Sequence, residues 1–236
     1  MSYADLANEL ESRLGLEWPP IALARADAPP AGIAIWSSDV PSACTLWRRA
    51  EHGAFFAAAG VHMGCPIGAM VMGFELDAAK HDELMGLVGD MCAIAYIAED
   101  EVERIPHFAG PTAGVVYGPL ADLPLEPDVV IVWASAKQAM LLEEALGAAA
   151  WTAPSGSVFG RPACAALPVA GSRRQAVLSL GCIGMRTFTE IPDAYSMVVI
   201  PAAVLPELRA GLDRTLRANA AMESVYQTMK AAGGKA

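Results

Sequence analysis

One pattern occurs twice in the chain. Cys44 is followed by Cys65, which sits directly after Gly64 and three residues before Gly68, and Cys164 is followed by Cys182, directly after Gly181 and shortly before Gly184. Two cysteine pairs of comparable spacing predict two pseudo-repeated halves, 1–120 and 121–236, that converge on one shared site. Together they would make a single domain spanning 1–236, of mixed α/β (α+β) class.

The rest of the composition says what surrounds that site. Of the 236 residues, 54% are hydrophobic and only 18% charged, much of the apolar share being alanine, so the chain has the material for a sizeable core without disulfide or metal staples. A net charge of −10 repels a phosphate backbone, and no basic stripe with interleaved aromatics offsets it, which argues against a nucleic-acid partner. The opening MSYADLANELESRLG lacks the basic and apolar regions of a secretory signal, so a cytoplasmic location is expected. Thiols there stay reduced. An odd total of five cysteines is then read as packing residues, metal ligands or redox-active thiols rather than a disulfide framework.

Taken in order, Leu6, Leu10 and Leu14 mark an amphipathic helix over 4–14 that stops at Gly15. Ile21–Arg25 and Gly32–Trp36 read as short buried strands around a proline-rich turn, and 45–59 as a helix with Cys44 at its start. A thiol placed there is expected to have a lowered pKa, because the free N–H groups of a helix start favour the thiolate. The segment 54–74 carries no formal charge and spaces Gly60, Gly64 and Gly68 by four, like a membrane-helix interface. His62, Pro66 and its glycines interrupt it, so a buried helix-turn-strand is expected instead and no membrane span. Beyond it the pattern predicts a helix over 76–91, strands at 92–97, 115–120 and 129–133, and a helix over 136–150. A Gly/Ser/Pro-rich loop follows at 151–162, then a strand at 197–200 and a long helix over 205–229.

The motifs of nucleotide-binding and hydrolytic enzymes are missing, as is any Cys-x-x-Cys, so a metal would have to be gathered from distant segments. The expected ligands are Cys44, Cys65, Cys164 and Cys182, with His62 and Cys92 in reserve. Four thiolates suit an iron-sulfur cluster, including a [4Fe-4S] cluster with one open iron if only three bind, or tetrahedral zinc. Free cysteine is also among the most buried residue types, so simple packing with no metal is the competing reading. Gly64, Gly68, Gly181 and Gly184 would let backbone approach the thiols or a cofactor. Arg48 and Arg186, close in sequence to Cys44 and Cys182, would receive an anionic ligand.

At these residues the chain resembles a bacterial and archaeal family known as domain of unknown function 169 (DUF169). The resemblance rests on Pro19-Pro20-Ile21, Cys44 with Trp47 and Ala50, Gly64-Cys65-Pro66-Ile67-Gly68, Tyr117-Gly118-Pro119-Leu120, Pro127-Asp128 with Gln138 and Met140, Cys164, and Gly181-Cys182-Ile183-Gly184 with Arg186. It implies cysteine-bearing motifs and names no reaction.

Three functions follow. The first is a cysteine-ligated metal or iron-sulfur redox protein with a redox partner. The second is a non-enzymatic binding protein for a small anionic metabolite. The third is a thiol enzyme with Cys65 as nucleophile and His62 as base, disfavoured because Pro66 breaks the helical spacing that would let them meet. A homo-oligomer is compatible with all three.

Overall fold

A computed structural model describes residues 2–110, 112–147 and 158–233. Eight strands form one mixed sheet: β1 (Ile21–Ala26), β2 (Ala34–Trp36), β3 (Phe55–Ala58), β4 (Gly114–Pro119), β5 (Val129–Ser135), β6 (Val158–Phe159), β7 (Val177–Ser179) and β8 (Tyr195–Pro201). Their order across the sheet is β2-β3-β4-β1-β5-β8-β7-β6.

That order is symmetric about the central pair. Reading outward from the middle gives β1, β4, β3, β2 on one side and β5, β8, β7, β6 on the other, the same sequence of ranks within each half. Directions match as well. The β1–β4 and β5–β8 pairs are antiparallel, as are β3–β4 and β7–β8, whereas β2–β3 and β6–β7 are parallel. The central β1–β5 pair is antiparallel, with Ala22 opposite Val130, which is what a two-fold axis normal to the sheet requires of the strands beside it.

The helices are α1 (Tyr3–Leu14), α2 (Cys44–Arg49), α3 (Ala59–His62), α4 (Pro66–Val71), α5 (Ala78–Ala93), α6 (Ala136–Ala145), α7 (Ala166–Arg173), α8 (Ile183–Thr189) and α9 (Leu205–Gly233). They cover both faces of the sheet. Along β5, for example, Val129, Ile131 and Trp133 enter one core with Trp47 of α2 and Leu167 of α7, while Val130, Val132 and Ala134 enter a second with Leu10 of α1, Leu142 of α6 and Leu208 of α9. Burial on both sides explains why the central strands read as continuous apolar runs rather than alternating ones. The helix α1 starts at the Ser2 cap and ends at Gly15, whose φ of 64° is left-handed, as its sequence predicts.

Four expectations differ from the structure. The helix expected over 45–59 ends at Arg49, passes through a 3-10 turn at Ala50–His52, and gives way to β3. Gly53 breaks it, with φ 151° and ψ 163°, a conformation essentially restricted to glycine, and pairing of Phe55 and Phe56 with β4 then outweighs helix propensity. The strand expected at 92–97 is absent: α5 continues through Cys92 to Ala93. A short apolar run does not distinguish helix from strand by period, and the edge next to β3 is taken by β2. The helix-turn-strand expected over 54–74 is instead a strand followed by two short helices, β3, α3 and α4, because Pro66 starts a helix rather than a strand. The strand expected to be buried at 32–36 is the exposed edge strand β2, with Ile35 62% exposed. The other expected strands and helices fall within a few residues of their predicted positions, although the tail of the helix expected over 136–150 and most of the 151–162 loop lie outside the described residues.

Candidate functional site

The symmetric topology gives the cysteines matched stations. Cys44 opens α2 between β2 and β3, and Cys164 lies in the 3-10 turn Ala163–Ala165 that leads into α7, between β6 and β7. Cys65 is the N-cap of α4, between β3 and β4, and Cys182 is the N-cap of α8, between β7 and β8. All four line one cavity of about 880 Å³, together with Gly64 and Gly184. The fifth, Cys92, is not in its wall.

Within the cavity the thiols form two classes. Cys44 and Cys164 are buried, each 6% exposed, whereas Cys65 and Cys182 are half-buried. Burial pushes the Cys44 thiol up, and the nearby thiols of Cys182 and Cys65 add to the effect by like-charge repulsion, against a smaller opposing influence of the Ser42 hydroxyl. Burial likewise holds Cys164 well above the ordinary thiol range, reinforced by Cys44, Cys65 and Cys182. The lowered pKa expected for Cys44 at a helix start is therefore reversed, because desolvation outweighs the short dipole of a six-residue helix. At neutral pH both buried groups are thiols. Cys182 Sγ accepts a hydrogen bond from the Met185 N–H at 3.4 Å, the capping role that serine more often fills.

The glycines act mainly by close approach. A Cβ on Gly64 would lie 2.2 Å from the Val40 carbonyl oxygen, and one on Gly68 would lie 2.8 Å from Ala43 Cβ and 3.0 Å from Cys65 Sγ. Their absence of side chains lets the start of α4 settle against the segment that carries Cys44. Gly181 has a left-handed φ of 80° and turns the chain into Cys182. Around Gly184 there is more room, since its Cβ would meet Cys182 Sγ only at 3.9 Å.

The arginines expected to receive an anion are engaged elsewhere. Arg48 is ion-paired with Glu51 and stacks over Trp18, and Arg186 donates to the Leu180 carbonyl at 2.7 Å and the Tyr195 carbonyl at 3.3 Å. Neither is among the cavity-lining residues. His62, held in reserve as a ligand or base, is 0% exposed and has both ring nitrogens occupied. Nδ1 lies 3.0 Å from the Ala58 carbonyl, so it carries the proton, and Nε2 accepts from the Tyr117 hydroxyl at 2.9 Å. Burial lowers its pKa to about 4, which keeps the ring neutral. It is a buried structural group, directed at Tyr117 and Phe74.

The outer wall comes from a segment with no counterpart in the second half. In the first half α5 and the Glu99–Arg104 turn intervene between α4 and β4, whereas in the second α8 runs almost directly into β8. This inserted segment contributes Val88, Met91, Tyr96 and Val102, and Arg161 faces it from beside β6. None of these was singled out from the sequence. The signal was the spacing from each second cysteine to the next strand, 65 to 114 against 182 to 195, which the cysteine pattern alone does not reveal.

Among the described residues no three His, Cys, Asp or Glu side chains are gathered tightly enough to form a group for a single metal ion. No described helix is long and apolar enough to cross a membrane.

A twice-built mixed α/β unit carrying one thiol-lined cavity is thus the class of protein the fold defines. The chain belongs to the DUF169 family, whose description is "Uncharacterised ArCR, COG2043" and whose model matches residues 9–211. No curated protein and no solved structure matches it.

Proposed function

We propose that the cavity is a soft-metal centre in which Cys44, Cys65, Cys164 and Cys182 hold an iron-sulfur cluster. The observation that carries this reading is the convergence, from four separate segments at symmetry-matched stations, of four of the five cysteines on one cavity. Packing alone asks only that a cysteine be buried, and Cys65 and Cys182 are not fully buried. Donor chemistry agrees, because thiolates select zinc, copper(I) and iron-sulfur clusters. A cluster spreads its ligands wider than one ion does, which suits thiols that share a chamber without forming a compact group.

When bound, the cluster would supply one-electron transfer. The protein would hold it with four thiolates, shield it with the apolar wall and release thiol protons on loading, those of the buried Cys44 and Cys164 included. Purification without oxygen, followed by visible absorption and iron and sulfide analysis, tests the reading. Colour and stoichiometric iron that vanish in Cys65→Ser and Cys182→Ser variants support it. A colourless protein that stays iron-free after reconstitution with ferrous iron and sulfide overturns it.

A further inference from the structure

The thiols occupy only part of the chamber. At about 880 Å³ it lies within the roughly 300–1,000 Å³ range of small-molecule sites. Away from the cysteines its wall is largely apolar, with Leu87, Val88, Met91, Ile97, Ile183 and Phe188 among its lining residues. An apolar wall of this size favours an organic ligand whose body loses water on entry.

The charged groups in the wall narrow the choice. Glu83 is bound by Lys80 at 2.6 Å, Glu101 accepts from the Ala98 N–H at 2.7 Å, and Arg104 donates to Asp100 at 2.7 Å. Asp90 and Arg161 remain. Both are exposed to water, which solvates the Asp90 carboxylate on α5. Arg161 is held differently: its guanidinium lies over the Tyr96 ring at 4.3 Å from the centroid, and no carboxylate pairs with it among the described residues. In a chain with 26 acidic residues against 16 lysines and arginines, a guanidinium left without an acid at a cavity wall is a selective feature. Stacking fixes its plane and leaves the N–H fork free to bind a carboxylate in two-point fashion.

We propose that the chamber binds a small organic acid, its apolar chain or ring lying under the inserted segment and its carboxylate held by Arg161. Tyr96 belongs to that segment and Arg161 to the second half, so an acid bound at Arg161 would also fasten the outer wall over the cavity. This site does not depend on what the thiols hold.

Calorimetric titration of the full chain as purified, with octanoate, phenylacetate, octanol and octylamine, tests the proposal. Octanoate or phenylacetate should bind more tightly than octanol, and octylamine most weakly. Arg161→Gln should weaken carboxylate binding about tenfold or more while leaving octanol unchanged and thermal stability intact, and Arg161→Lys should recover part of the loss. Equal affinity for octanoate and octanol, tighter binding of octylamine, no binding of either acid, or indifference to Arg161→Gln would each overturn it. Iron and sulfide measured on the same samples report on the thiol centre separately, so the two readings can fail independently.

Discussion

The two halves share a strand framework and differ in what covers it. Each sets four strands in the same relative order and places one cysteine before its third strand and one after. Only the first interposes α5 and the Glu99–Arg104 turn over the cavity. Both halves contribute cysteines to the cavity, and the inserted segment of the first half supplies much of its outer wall. Matched positions inside the framework therefore act as internal controls: where both halves bear the same load the effects should be similar, and where one has diverged they should separate.

The largest effects should come from the residues three beyond each first cysteine, Trp47 and Leu167, both 0–1% exposed. Trp47 meets Trp133 of the other half at 6.2 Å between ring centroids. Trp47→Ala should cost about 3–5 kcal/mol and Leu167→Ala about 2–5 kcal/mol, by chemical denaturation. Trp47→Ala combined with Trp133→Ala should cost less than the sum, since the rings share a contact. Strict additivity would show that this contact does not couple the halves.

Three residues before each second cysteine the halves diverge chemically: His62 in the first, Ser179 in the second, both 0% exposed. Only the histidine titrates. Its folded pKa, about 4, lies below the unfolded 6.5, so folding holds it neutral. The stabilisation is complete above pH 6.5 and is lost as pH falls toward 4, by up to about 3 kcal/mol at 1.4 kcal/mol per unit. His62→Gln should flatten that acid limb, whereas Ser179→Ala should leave its shape unchanged. An acid limb preserved in His62→Gln would assign the loss to other groups.

How much of this was legible follows the same division. The matched spacing of Cys44/Cys65 and Cys164/Cys182 is local in sequence, and from it both the paired halves and the shared cavity could be read. The central strands were legible because Val129–Trp133 is an unbroken apolar run and Val115–Tyr117 a shorter one. Arg48 and Arg186 pair with Glu51 and with the carbonyls of Leu180 and Tyr195 and do not line the cavity, because nearness in sequence to a cysteine does not fix a side chain's direction. Arg161 and Tyr96 could not be found together, since 65 residues separate them and no local pattern links an insertion to the turn it faces. The course of α5 through Cys92 was ambiguous for a different reason: a short apolar stretch has no distinct period.

The glycines give a smaller and sharper contrast. Gly64→Ala drives a Cβ against backbone oxygen at 2.2 Å, an obstacle that cannot rotate away, while Gly184→Ala meets Cys182 Sγ at an ordinary 3.9 Å. Gly64→Ala should therefore cost about 1–3 kcal/mol and Gly184→Ala under about 1 kcal/mol by thermal unfolding. Equal costs would mean that the close approach of α4 to the Val40 segment relaxes freely.

The smallest expected effect separates the two classes of thiol. Cys44 and Cys164 have folded pKa values raised above the unfolded thiol value of 9.0, so the unfolded chain gives up protons first as pH rises. Their contribution is fully present below the unfolded pKa and is lost as pH climbs through 9 toward the folded value, in the metal-free protein. Between pH 8 and about 9.5 the loss should be of order 1–2 kcal/mol for the two together. Cys44→Ala with Cys164→Ala should remove that alkaline slope at some cost in packing, and Cys65→Ala with Cys182→Ala should leave it in place. Urea midpoints across this pH range, on metal-free protein, read the difference directly. If the slope instead followed the half-buried pair, the assignment of inner and outer thiols would be inverted.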